Sequence, residues 1–252
     1  QVTHCRNSAY NSMRKHKGSY MDLNQNVNEN VDTGTLRIHL TNESNGTPVQ
    51  GAKISISYTG NPSQTIEEVS ADDSGNSEEL TLNAPPLEYS MEPSEEQPYA
   101  EYTIRVQAPG YRDITVSAIN VLPGETAIQN VRMETEDAPG DRIDMVVIAA
   151  HTLYAEYPPK IPEDEIKPMN ESGEIVLSRV VIPEYIVVHD GAPGDTTASD
   201  YYIRYRDYIK NVASSEIYAT WPDAAIRANV LAIMSFTLNR VYTEWYRGKG
   251  YN

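Results

Sequence analysis

The sequence predicts a multidomain protein, an all-β sandwich followed by the start of an α+β unit. Three observations carry this. About seven short stretches between residues 33 and 136 alternate apolar and polar residues and are parted by clusters of Gly, Pro, Asn and Asp, the rhythm of an antiparallel sandwich. Residues 137–180 are rich in Pro and acid and break that rhythm. From residue 181 a strand-like run gives way to two segments with apolar residues every three or four positions, the period of amphipathic helices.

Residues 1–32 are polar and aperiodic and are expected to be a disordered leader. Arg6, Arg14, Lys15 and Lys17 lie in its first part without the apolar core of a signal peptide, and Met21 is a candidate start, with residues 1–20 as upstream read-through. Residues 33–136 form the expected sandwich. TLRIHL (35–40) places Leu36, Ile38 and Leu40 on one face and His39 on the other, where His39 reads as a solvent-facing or edge residue. AKISISY (52–58) alternates through Ile54, Ile56 and Tyr58, and further strands are expected at 65–70, 78–82, 101–108, 113–120 and 126–133. The intervening SADDSG, NAPP, APGY and LPGE supply turn chemistry.

Residues 137–180 read as a linker. MVVIAA (145–150) is a brief strand candidate, and Pro158, Pro159, Pro162 and Pro168 exclude a continuous helix through PPKIPEDEIKP. VVIPEYIVVHDG (180–191) reads as one or two strands ended by a Gly turn. His189 and Asp190 there are either a catalytic pair or a loop histidine beside an ordinary turn aspartate. A first helix is expected over 204–216, with Tyr208, Ile209 and Val212 on one side. A second runs from Pro222 to about Arg247, with Thr220 as N-cap, Pro222 in the first turn and Asp223 near the positive end of the dipole. Its stripe of Ile226, Val230, Ile233, Thr237 and Val241, flanked by Met234 and Leu238, is core.

Composition removes several classes. The net charge is −16, with 4 bases and no acid over 1–20, 9 bases against 32 acids over 21–200, and 7 bases against 4 acids over 201–252. That balance excludes a nucleic-acid footprint. Cys5 is the only cysteine, so neither an internal disulfide nor a Cys-based zinc site is possible, and no metal ligand set or cofactor is expected. No apolar run reaches the ~18 residues of a membrane span, so no membrane partner is expected. The chain holds 18 Tyr against 1 Phe, an amphipathic aromatic supply that suits sugars as well as sheet faces.

Two resemblances follow from particular motifs. TNESNGTPVQGAKISI, DDSGN and YTIRVQAPGYRDITV resemble the carboxypeptidase-regulatory or transthyretin-like sandwich, whose pattern has a "G-x-P-V-x-G-A" stretch, a "D-x-x-G" turn and a final "A-P-G-Y" hairpin. Modules of that kind bind or brace and carry no catalytic residues. DYIKNVASSEIYATWPDAAIRANVLAIMSFTLNR (207–240) resembles the core of the stage II sporulation protein D family, also called the LytB or amidase-enhancer family. Tyr208, Val212, Glu216, Trp221, Pro222, Ala225, Ile226, Ala228 and Ala232 fall where that pattern asks, while Asn211 stands for its Gly, Ile217 for its Met and Asn229 for its Gln; Ser235 departs as well. Together with YPPKIPEDEIKP, IPEYIVVHDG and LNRVYTEWYRGKGY, the chain from 33 to 252 is similar to spore cortex-lytic enzymes of the SleC type.

The resemblance implies a peptidoglycan lytic transglycosylase made as a zymogen. It implies residues 33–136 as prodomain, removed by a subtilisin-like germination protease, and 181–252 as the N-terminal part of a catalytic domain that continues beyond this stretch, which alone is expected to be inactive; the cut is expected within 137–155, where Pro and Gly loosen the chain. It places the enzyme in the spore, at the cortex and outer layers, with cortex peptidoglycan as substrate and germination as the occasion. It implies Glu216 as the catalytic acid.

The residues agree with that chemistry. A hydrolase needs two carboxylates, whereas a transglycosylase can use one, and no other acid lies within five residues of Glu216. A general acid is favoured by apolar walls, which Ile217, Tyr218 and Trp221 are expected to supply, and Tyr218 and Trp221 are candidate sugar-stacking, substrate-binding residues. Trp221 also reads as a core anchor of the interhelix turn. The acidic 21–200 is expected to cover the basic 201–252 until cleavage. Two other readings stay open: a non-catalytic cell-wall binding protein, for which the sandwich alone would suffice, and an amidase enhancer that keeps the fold without cleavage.

Overall fold

The computed structural model describes residues 31–92, 96–140, 143–150, 153, 181–192 and 194–242. The expected leader, the prolines between 158 and 168, and much of the linker with its activation region therefore lie outside the described residues. The chain divides into two compact units, 1–150 and 151–252. It is mostly β-sheet, a sandwich with a few helices.

In the first unit, seven strands appear where alternation predicts them: β1 (Asp32–Asn42), β2 (Lys53–Tyr58), β3 (Thr65–Ser70), β4 (Leu80–Ala84), β5 (Ala100–Gln107), β6 (Ile114–Val121) and β7 (Thr126–Met133). A four-residue helix α1 (Glu88–Met91) sits between β4 and β5. The strands form two sheets. One is three-stranded in the order β4-β1-β7, with β1 antiparallel to β4 and parallel to β7. The other is five-stranded, β3-β2-β5-β6-β8, where β8 (Met145–Val147) adds a parallel edge to β6.

The alternation explains the packing. Leu36, Ile38 and Leu40 of β1 are 0–1% exposed and meet Ile54, Ile56, Ile104, Val106 and Val121 from the opposite sheet in one core. Each such side chain contributes roughly 1.5–3 kcal/mol by leaving water. His39, on the other face of β1, pairs its Nδ1 with Asn76 Oδ1 at 2.9 Å, so it is an ordinary half-buried residue of the central strand and not an edge one. Tyr102, fully buried, donates its hydroxyl to the Asn83 carbonyl at 2.8 Å, and burial pushes that hydroxyl well up.

The expected turns are chemical turns. In DDSGN, Asp72 Oδ1 accepts the amides of Ser74 and Asn76, each at 2.8 Å, and Gly75 turns at φ +75°. Between β5 and β6 the register slips and Ala118 takes φ +62°, a bulge. The sandwich reaches further along the chain than residue 136. MVV of the linker candidate MVVIAA is strand β8, and Ile148 behind it packs on the core.

The second unit begins, among the described residues, with an antiparallel hairpin of β9 (Tyr185–His189) and β10 (Asp200–Arg204). Helix α2 (Tyr205–Ser214) follows directly, and α3 (Asp223–Tyr242) comes after a short turn. The helical periodicity is realised. Ile186 of β9, Tyr205 and Ile209 of α2, and Ile233 and Val241 of α3 form the core, with Tyr208, Val212, Val230, Met234 and Leu238 packed against it. The start of α3 differs from expectation by one step. The Pro222 carbonyl accepts the Ile226 amide at 3.1 Å, so Pro222, not Thr220, holds the capping position and Asp223 is the first helical residue. Asp223 also bonds Arg227 at 2.7 Å, one turn on.

Candidate functional site

Glu216 follows the last turn of α2. The carbonyls of Val212 and Ala213 accept the amides of Ser215, Glu216 and Ile217 at 3.0–3.1 Å, closing the helix around the acid's own backbone. This puts the Glu216 carboxylate at the negative end of the α2 dipole, an opposing field. The compensating donor comes from α3: Asn229 Nδ2 donates to Glu216 Oε2 at 3.1 Å. The bond ties two helices across 13 residues of sequence.

The surroundings differ from expectation. Glu216 is exposed, not enclosed. Ile217 and Tyr218, the expected walls, are 7% and 4% exposed because the chain turns them inward immediately after the acid. The Tyr218 hydroxyl accepts the Leu153 backbone amide at 2.9 Å. A ring so covered has no face to offer a sugar, so the stacking role expected of Tyr218 is replaced by packing. Trp221 is half-buried; its amide donates to the Tyr218 carbonyl at 3.2 Å, which closes the turn between the helices.

His189 has a different partner from the one its sequence neighbour offers. Adjacent strand residues face opposite ways, so His189 and Asp190 cannot pair side by side. The hairpin register instead sets His189 opposite Asp200. His189 Nδ1 meets Asp200 Oδ1 at 2.7 Å and Nε2 meets the Ala192 carbonyl at 3.0 Å. Both partners are acceptors, so both ring nitrogens donate only in the imidazolium form. The hydrogen bond to Asp200 accordingly raises the His189 pKa, with the Ala192 carbonyl adding to it against some desolvation. Asp195 in the same loop is lowered, first by the Thr197 hydroxyl at 2.7 Å and then by the Thr197 amide.

Comparisons with known proteins give partial structural likeness and nothing more. No family model and no curated protein matches the chain. Among solved structures, it is similar to the TIE protein of Bacillus anthracis at 23% identity and a TM-score of 0.29, over 41% of this chain and 17% of that one. It is similar to the minor pilin GBS52 of Streptococcus agalactiae at 13% identity and a TM-score of 0.30, over 44% of this chain and 48% of the pilin. Catechol 1,2-dioxygenase of Acinetobacter gives 14% identity and 0.31, over 48% and 60% of the two chains. The chain thus spans less than two thirds of each of these proteins.

Asn229 is the residue that sequence reasoning passed over, noting it only as a substitute for Gln. A signal was present. Asn229 lies three residues after Ile226 and four before Ile233, so it is an amide set into the apolar stripe of α3. Among the described residues there is no group of three or more His, Cys, Asp or Glu side chains placed to hold a metal ion.

Proposed function

We propose that this chain belongs to a peptidoglycan lytic transglycosylase of the spore cortex, with Glu216 as its acid and base. The observation that carries the reading is a carboxylate at the corner of two helices, with no other acid within five residues of sequence, reachable from solvent and held by an amide from the second helix. The motif resemblance over 207–240 supplies the reaction class.

In this reading the protonated Glu216 gives its proton to the oxygen bridging two sugars as the bond from C1 to that oxygen breaks. The 6-hydroxyl of the same muramic residue then closes on C1, and its proton returns to the Glu216 carboxylate. The product carries a 1,6-anhydro end, no water is consumed, and the enzyme is restored. One acid suffices, in contrast to the paired carboxylates of hydrolases. Trp221, half-buried in the turn, is the aromatic surface nearest in sequence for a sugar ring.

The sandwich, read as transthyretin-like, is the bracing prodomain, and a germination protease separates it from the catalytic part. Because β8 is an edge strand of the sandwich and Ile148 behind it packs on the core, a cut between Ile148 and residue 155 would leave that fold whole, whereas one at 145–147 would remove its edge strand.

The test is Glu216→Gln in the complete, processed protein on cortex peptidoglycan, reading anhydro-muropeptide release by chromatography and mass. The expected result is loss of that product; near-wild-type lysis ends the reading. Exposure of Glu216 favours a second reading, a wall-binding or amidase-enhancing protein without cleavage of its own. That protein would bind cortex and release no anhydro ends, with or without the substitution.

A further inference from the structure

We propose that Asn229 is a positioning residue for Glu216, fixing one carboxylate oxygen so that the other is left to carry and deliver the proton. The inference rests on the reading of Glu216 as the acid, and it concerns how that acid is aimed.

The first ground is geometry. Asn229 Nδ2 lies 3.1 Å from Glu216 Oε2, and no hydrogen bond within the described residues is made to Oε1. A carboxyl pinned at one oxygen has a defined direction at the other, which an exposed side chain on three rotatable bonds otherwise lacks. Orientation of this kind is a recognised source of rate, since a reacting group displaced by about 1 Å can cost about 100-fold.

The second ground is independent of the first. Asn229 Oδ1 is buried and meets no hydrogen-bond donor among the described residues. A buried acceptor without a donor is unfavourable. Turning the amide over does not relieve this, because Oδ1 would then face the Glu216 carboxylate, acceptor against acceptor. The side chain is thus locked into the orientation that serves Glu216, at the expense of its own oxygen. A leucine of similar size would fill the same space in the stripe of Ile226, Val230 and Ile233 without an orphaned atom. Glu216, being exposed, would find water in place of the lost amide. Packing alone therefore gives the fold no reason for an amide here.

This yields a separation that a purely structural residue would not show. Asn229→Leu should leave the melting temperature unchanged or raise it, while kcat on cortex glycan falls about 10- to 100-fold with little change in KM. Asn229→Gln, which restores an amide donor with one more methylene, should recover most of kcat. Asn229→Asp sets a second carboxylate against Glu216 and should move the alkaline limb of the pH–rate profile, where the protonated acid is lost, up by about one unit. Wild-type kcat in folded Asn229→Leu overturns the proposal, as does a loss of activity that only follows a loss of folded protein. Should Asn229→Leu fail to fold, Asn229→Asp decides: an unshifted profile at wild-type kcat overturns it.

Failure of the parent reading is told apart by a measurement that needs no activity. In the 252-residue chain labelled at glutamate carboxyl carbons, the Glu216 signal, assigned by its absence in Glu216→Gln, is recorded by NMR at one fixed pH. Removing the amide donor in Asn229→Leu should move that chemical shift. An unmoved signal overturns the positioning role even where Glu216 proves catalytic; a moved one upholds the pairing even where Glu216→Gln remains active.

Discussion

Replacing Tyr218 separates the two roles that sequence and structure assign to it. The ring is 4% exposed and its hydroxyl accepts the Leu153 amide at 2.9 Å. Tyr218→Phe keeps the ring and deletes that acceptor. A typical net hydrogen bond is worth about 0.5–1.5 kcal/mol. For a chain of this size each kcal/mol moves the melting temperature by about 2–4 °C, so a fall of about 1–6 °C is expected. Tyr218→Ala also removes a buried aromatic ring, at about 3–5 kcal/mol, and should unfold much of the second unit.

The assay is thermal unfolding followed by far-UV circular dichroism, with glycan binding to purified cortex measured on the same samples. Tyr218→Phe should bind as the wild type does despite its lower melting point. Trp221→Ala, in contrast, should lose up to about tenfold in affinity, the equivalent of an aromatic contact of about 0.5–1.5 kcal/mol, with a smaller thermal penalty. An unshifted melting temperature in Tyr218→Phe, or a binding loss in Tyr218→Ala that appears without any unfolding, would show that Tyr218 faces the sugar and that the packing argument is wrong.

Two further outcomes are expected. Gly75→Ala should destabilise the sandwich by about 2–5 kcal/mol, combining about 1–2 for a left-handed alanine with about 1–3 for a Cβ lying 2.4 Å from the Leu40 carbonyl; Gly46→Ala, at φ +71° with nothing within 4 Å, should show only the first part, and equal urea midpoints would refute the steric share. Because the hydrogen bond to Asp200 chiefly holds the His189 pKa above the ordinary histidine value of about 6.5, its stabilising contribution is fully present below about pH 6.5 and is lost as pH rises through the folded value; melting temperatures taken from about pH 5.5 to about pH 9 should fall along that limb in the wild type and much less in Asp200→Asn.

Much of the sandwich was legible because its strands are half-buried, so that a period of two separates Leu36, Ile38 and Leu40 from Arg37 and His39 on the page. The helical stripe was legible for the same reason at a period near 3.6: Ile233, Thr237 and Val241 are all buried as their spacing requires. β8 was visible only as a brief apolar run of the linker and not as part of the sandwich, because Met145, Val146 and Val147 are all exposed apolar residues on an edge, without alternation, and their partner β6 lies some thirty residues away. Nor did the sequence reveal the His189–Asp200 pair, which depends on hairpin register, since a strand exposes its alternate residues to partners that only the turn length selects.

The candidate site shows the same division more sharply. Glu216 is conspicuous in sequence because it is isolated, and the residues beside it looked like walls because they are apolar. Apolar residues next to an acid, however, are as readily the cause of its exposure as of its burial: Ile217 and Tyr218 are drawn into the body, and the short turn that buries them holds Glu216 outward. What steadies the acid must then come from a residue distant in sequence whose direction is fixed by other contacts. Asn229 meets that condition, because α3 is anchored by Ile233, Thr237 and Val241 along the same helix and its amide is carried to Glu216 by their packing. Loosening that anchorage should therefore disturb the acid without touching it, through the Asn229 amide on which its proposed chemistry depends.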